Sequence, residues 1–216
     1  MLLAKGARRQ KNGQRGILMP FKPLLLGWSG KGQLPVLVQA ESTAHLADIQ
    51  GQSLHAGLYA NELLLKLLHR FDAHEDLFFG YDQAVHGLAE GKEPGELLRV
   101  FEKRLLREIG FALILDREAA TGESIDVSAN YAYAPDVGPL DRRQSEGVHG
   151  VPVSGLTLQE LADECFTSNR SRAEARRLTR NLLQQQLGGR ELRSRRVLRQ
   201  VIRYRRTNTL DVAESN

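Results

Sequence analysis

Near His45 the hydrophobic period of this chain changes, and the change divides it into two kinds of structure. Before it lie short apolar runs bounded by turn residues, Leu2 to Ala4, Gly16 to Phe21, Leu24 to Trp28 and Leu34 to Ala40, which read as strands. Gly30-Lys31-Gly32 fits a hairpin turn between the last two. Pro20, Pro23 and Pro35 cannot donate ladder hydrogen bonds, so the strands must be edges, bulged or bent. The expectation is a small curled OB-like β-barrel over residues 1–44. It is an incomplete one, because the first strand begins at the terminus and one flank stays open. On that argument the chain is a shortened form, or Met1 is not the natural start.

After His45 the apolar residues recur at helical spacing. Leu58, Leu63, Leu64, Leu67, Leu68 and Phe71 form one stripe, and a second helix is expected from about His74 to Ala89. A third starts at Pro94, a favoured first-turn residue, and carries Leu97, Leu98, Phe101, Leu105 and Ile109 until Gly110 stops it. Residues 116–150 read as an irregular insertion with one hairpin around Tyr131-Ala132-Tyr133. Two more helices, Ser171 to Leu187 and Glu191 to Arg205, flank Gly188-Gly189, and residues 207–216 read as a frayed tail. The fold class is α+β: a barrel followed by a mainly α-helical domain over residues 45–206.

Charge is segregated along the same chain. Residues 1–40 hold seven Lys or Arg and no acid, residues 41–169 hold 22 acids against ten bases, and residues 170–206 hold 13 Arg against Glu174 and Glu191. Two basic ends around an acidic middle attract a polyanion, and nucleic acid is the leading class.

Other function classes lack their residues. The apolar runs stop well short of the roughly 18–20 residues of a bilayer span. Cys165 has no partner for a disulfide and no companions for a zinc cage, which points to a reducing, cytoplasmic location. A targeting peptide is disfavoured because Pro20, Lys22 and Pro23 interrupt the N-terminal apolar stretch. Gly27-Trp28-Ser29-Gly30-Lys31-Gly32 has the wrong spacing for a phosphate-binding loop. His69 and His74 are five apart and do not share a helix face as zinc ligands do. Asp141, His149 and Ser154 are close in sequence, yet Ser154 lacks a strand–turn–helix elbow in this reading. No catalytic residue, cofactor or metal is expected.

Two basic clusters remain as candidate DNA-binding residues. Lys5, Arg8, Arg9, Lys11 and Arg15 surround Gly6 and Gly13 in an expected loop, where cations neutralise phosphates while Phe21 or Trp28 stacks on unpaired bases. Arg172, Arg176 and Arg180 recur every four residues, and Arg195, Arg199, Arg203 and Arg206 follow at four, four and three, so each set stripes one helix face. Leu178 and Leu182, and Val197, Val201 and Tyr204, supply the opposing apolar faces. A membrane-surface or calmodulin-target helix shares this pattern.

These residues carry a family resemblance. Lys5-Gly6-Ala7-Arg8-Arg9, Leu18-Met19-Pro20-Phe21 with Pro23-Leu24-Leu25, Ala40-Glu41 and Gly57-Leu58-Tyr59-Ala60-Asn61-Glu62-Leu63 resemble successive signatures of the bacterial recombination mediator family RecO. Phe101-Glu102, Leu105-Leu106 with Gly110, and the run from Leu187 through Gly188-Gly189-Arg190 to Arg196 continue the match in order. The resemblance implies an OB-fold followed by a helical domain and a non-enzymatic role in DNA repair. It implies binding of single- and double-stranded DNA, annealing of complementary strands, contact with the acidic tail of single-stranded DNA-binding protein, and work with RecR to help RecA load. It places a tail-contacting arginine at Arg99. Many members carry a four-cysteine zinc module after the third helix, whereas Leu115-Asp116 is followed here by Arg117-Glu118-Ala119-Ala120 with no cysteine. An RNA-binding or ribosome-associated OB-fold protein is the alternative.

Overall fold

A computed structural model describes residues 2–6, 14–32, 34–70, 72–143, 147 and 149–213, with the side chains of 14, 15, 202 and 205–213 outside that description. The chain forms two compact units, Met1–Gln50 and Gly51–Asn216.

In the first unit the apolar runs around the Gly30 and Gly32 turn pair as expected. Strand β1 (Leu24–Ser29) runs antiparallel to β2 (Val36–Ser42), with a register shift between Gly27 and Trp28. Leu3 adds a single parallel bridge to Val36 through bonds of 2.8 and 3.0 Å to Pro35 and Leu37. Among the described residues the sheet stays two-stranded and open, as an open flank implies, and no closed barrel forms; strands followed by helices make the chain α+β. The expected strand Gly16 to Phe21 is likewise absent: Gln14–Ile17 is one helical turn, α1, and a turn follows in which Phe21 takes φ +63°. Pro20 and Pro23 deny this stretch two ladder donors, so it turns where a strand would have to pair. Lys22 fastens the turn by donating to the Leu46 carbonyl at 3.1 Å and pairing with Asp48 at 3.0 Å.

The second unit comprises α2 (Gly51–Leu67), α3 (Glu75–Ala89), α4 (Pro94–Glu108), β3 (Asn130–Ala134), β4 (Gly138–Asp141), β5 (Val151–Ser154), α5 (Gly155–Ala162), α6 (Asn169–Gln186) and α7 (Arg193–Ala213). Side-chain caps start three of the helices. Glu93 accepts from the Gly95 N–H before Pro94, Ser154 from Thr157, and Ser168 from Ser171, each stabilising its helix by about 1 kcal/mol. Where α3 crosses α4, a Cβ on Gly87 would sit 2.8 Å from a terminal methyl of Leu97, so any larger residue there would have to move that side chain. Phe101, Leu105 and Leu106 of α4, Leu63 of α2, Leu158 and Leu161 of α5, and Leu178 and Leu183 of α6 are fully buried in one core. Each such side chain contributes about 1.5–3 kcal/mol relative to exposure.

The insertion is more ordered than the sequence implies. Its strands form an antiparallel sheet in the order β4-β3-β5, with Tyr131 opposite Val153 and Tyr133 opposite Val151. The hydroxyls of Tyr131 and Tyr133 accept from the N–H groups of Asp126 and Ile114 and so bind the incoming chain to the sheet. In the segment after Asp116, Glu118 accepts from the N–H groups of Ala120 and Thr121 at 3.0 and 2.6 Å, so a carboxylate organises this turn. Helix α7 runs on to Ala213, past the start of the expected tail, because no glycine or proline interrupts it.

Candidate nucleic-acid interface

Helix α6 turns Ala175, Leu178, Thr179, Leu182 and Leu183 inward, which leaves Arg176, Arg177 and Arg180 on its exposed side. They line, with Ala173, Asn181 and Gln184, a shallow cleft of about 430 Å³. Arg177 is partly engaged, donating to the Pro152 carbonyl at 2.6 Å. Arg172, one step earlier in the stripe, serves the fold: it donates to Glu96 at 2.6 Å, Asn169 at 3.0 Å and the Phe166 carbonyl at 3.1 Å.

Helix α7 begins against α2. Leu187 and Leu192 are buried around the Gly188-Gly189 turn, and Glu62 of α2 accepts from the N–H groups of Arg193 and Ser194 at 2.9 and 2.8 Å. Arg195 donates to the Tyr59 hydroxyl at 2.8 Å, with its guanidinium carbon 5.1 Å from the ring centroid, a cation–π contact. Beyond this turn Arg196, Arg199 and Arg203 are exposed, Arg199 paired with Glu191. Tyr204 is 68% exposed and Val197 is also exposed, while Val201 between them is half-buried.

The two stripes meet at Arg180. Partial burial first, then the positive charges of Arg195 and Arg176, lower its pKa, with Arg199 adding to the effect. A guanidinium stays charged in water, so Arg180 is a partly shielded cation set among other cations. Such a patch gains most from a polyanion that neutralises several charges at once.

Of the other sequence candidates, Lys5 lies in an exposed turn and Arg15 in α1, while Arg8, Arg9 and Lys11 lie outside the described residues. Trp28 is 60% exposed on β1, whereas Phe21 is half-buried. Arg99 is only 6% exposed. Its Nη2 donates to Glu102 Oε1 at 2.8 Å, and its Nε lies 2.8 Å from Oε2 at an angle unsuited to a hydrogen bond. Tyr59 and Thr179 also donate to Glu102, at 2.6 and 2.5 Å. This buried network was not legible as a site, since its members are scattered over α2, α4 and α6.

Ser154 does sit where a strand runs into a helix, contrary to the sequence reading. A Cβ on Gly155 would fall 1.9 Å from the Asp126 carbonyl, so the junction requires glycine. No hydrolase trio assembles on it. Glu174 accepts from the Ser154 N–H and hydroxyl and from Thr157, each at 2.8 Å, while Asp141 pairs with Arg143. His149 is exposed. Among the described residues no group of three or more His, Cys, Asp or Glu is disposed to hold a metal, and no helix is long and apolar enough to cross a membrane.

Comparison with known proteins bears on the same region. The family model for the C-terminal part of recombination protein O matches residues 50–196, from the start of the second unit through the first turn of α7. The DNA repair protein RecO of Azoarcus sp. (strain BH72) is 42% identical over 203 residues, covering 93% of this chain and 84% of the relative. The RecO proteins of Thiobacillus denitrificans and Nitrosospira multiformis are 41% and 38% identical, covering 93% and 92% of this chain and 80% and 82% of their own lengths. With the family model covering most of the second unit and relatives matching nearly the whole chain, the chain belongs to the RecO family.

Proposed function

We propose that this chain is a non-enzymatic mediator of DNA repair and recombination, which binds DNA on the arginines of α6 and α7, anneals complementary strands and helps load recombinase on coated single-stranded DNA. The observation that carries the reading is the convergence of Arg176, Arg180, Arg195 and Arg199 in a chain whose relatives are named DNA repair proteins. Cations on the outer faces of two helices screen the repulsion between phosphate backbones and leave the bases free to pair. Arg203 continues the patch along α7, and exposed Tyr204 offers a stacking face. Lys5, Arg8, Arg9, Lys11 and Arg15 supply a second basic contact from the N-terminal unit.

The protein partners in this reading are the acidic tail of single-stranded DNA-binding protein, RecR and, indirectly, RecA. A tail carboxylate that uses Arg99 must compete with Glu102 for it. Equilibrium binding of a single-stranded oligonucleotide at rising salt tests the DNA reading. The logarithm of affinity falls linearly with the logarithm of salt, by about 0.7 per neutralised phosphate. Folded RNA competing better than single-stranded DNA would turn the assignment toward an RNA-binding protein.

A further inference from the structure

Resting on that DNA-binding reading, we propose that Tyr59 and Glu102 are positioning residues that aim the guanidinium of Arg195 at DNA without consuming its charge. Arg195 stands on the first turn of α7 and donates to the Tyr59 oxygen, and Tyr59 in turn donates to Glu102 Oε1 at 2.6 Å in the interior. Glu102 already has its counter-ion, because Arg99 lies 2.8 Å from both of its oxygens and is itself buried. The charge of the carboxylate is therefore met on the inner side. A neutral phenol stands between it and the outer cation.

The phenol is suited to this place. Burial, and then the Glu102 carboxylate, push the Tyr59 pKa well above its usual range, so the hydroxyl keeps its proton and its direction of donation is fixed. It donates its hydrogen bond to Glu102 and presents lone pairs to Arg195. A carboxylate in the same position would hold the guanidinium but pair off its charge, as Glu96 does for Arg172. Tyrosine holds it and leaves the cation whole.

Glu102 also sets the register of the patch. Thr179 of α6, which bonds Glu102 Oε2, immediately precedes Arg180. One buried carboxylate thus references α6 through Thr179 and α7 through Tyr59 and Arg195. It fixes how Arg180 and Arg195 stand to each other.

The test is a double-mutant cycle on the full chain, reading affinity for a single-stranded oligonucleotide at several salt concentrations. Tyr59→Phe keeps the ring and removes only the oxygen. It is expected to weaken binding about three- to tenfold, the effect of one lost orienting hydrogen bond. In an Arg195→Ala background the same change is expected to make no further difference, whereas a loss of general structure would lower affinity in both backgrounds. Arg195→Lys, which leaves the interior untouched and keeps the charge but not the planar fork, is expected to weaken binding to a similar extent. It stands in for Tyr59→Phe if that variant does not fold. Wild-type affinity in Tyr59→Phe, equal losses in both backgrounds, or wild-type affinity in Arg195→Lys would overturn the positioning role. A parent chain that binds no DNA would overturn the underlying reading as well.

Discussion

The carboxylate of Glu62 on α2 closes the N-terminus of α7, 132 residues away in sequence at Ser194, where it accepts both the backbone N–H at 2.8 Å and the hydroxyl at 2.7 Å. Burial alone would raise its pKa, yet the N–H groups of Ser194 and Arg193 outweigh burial and hold it below the usual carboxylate range. The pair works as an N-cap supplied from another helix. Glu62→Ala is expected to cost about 1–2 kcal/mol and to speed amide exchange at Arg193 and Ser194 ahead of the rest of the unit. Unchanged exchange at these two amides would show that α7 is held by other contacts.

Arg172 and Arg180 lie eight residues apart on one stripe and are expected to behave oppositely. Arg180 faces other cations, so Arg180→Ala relieves repulsion, leaves thermal stability unchanged or slightly raised, and flattens the salt slope of DNA binding. Arg172→Ala removes bonds to Glu96, Asn169 and Phe166 and is expected to cost about 1 kcal/mol or more, with a smaller effect on DNA. Paired melting and binding measurements on the two variants check this, and a reversal of the pattern would move the interface.

Glu174 makes the second unit acid-sensitive. Burial raises its pKa, but Arg170, Ser154 and Thr157 together bring it from the ordinary 4.5 down to about 2. A depressed folded value means stability present above the unfolded value and lost as pH falls from 4.5 towards 2. Glu174→Gln should therefore be less stable than the parent at neutral pH, and the gap should narrow through that window. A gap that stays constant down to pH about 2 would assign the effect to packing.

Arg99 is a buried half of an ion pair, so its removal acts first on the fold. Arg99→Met is expected to destabilise by about 3–5 kcal/mol, since it leaves Glu102 buried without its counter-ion. Titration of an acidic tail peptide against the folded Arg99→Lys variant then isolates the partner contact. Binding equal to that of the parent would remove Arg99 from it.

The helical part of the fold was legible because its residues carry both period and punctuation. Pro94 opens α4 and Gly110 follows it, and the arginines of α6 and α7 fall at helical spacing. In the N-terminal unit the β1–β2 hairpin was legible but its surroundings were not, because alternation shows that a stretch is apolar, not whether strands close around it. Pro20 and Pro23 bend the chain into a turn that reads in sequence as a strand. Helix α5 was missed because it is a single short run entered directly from β5. The arginine spacing placed Arg172, Arg176 and Arg180 on one face but gave no sign that Arg172 is engaged by Glu96, Asn169 and Phe166, since spacing gives the face and not the partner. Arg177 and Arg196, both exposed, were passed over because each adjoins a stripe residue.

If the arginines of α6 and α7 bring DNA strands together, they should govern the annealing of complementary single strands coated with single-stranded DNA-binding protein. The parent chain is predicted to accelerate annealing, and Arg176→Glu with Arg180→Glu to lose that acceleration at an unchanged melting temperature. A folded double variant that anneals as fast as the parent would show that strand pairing does not depend on the arginines of α6.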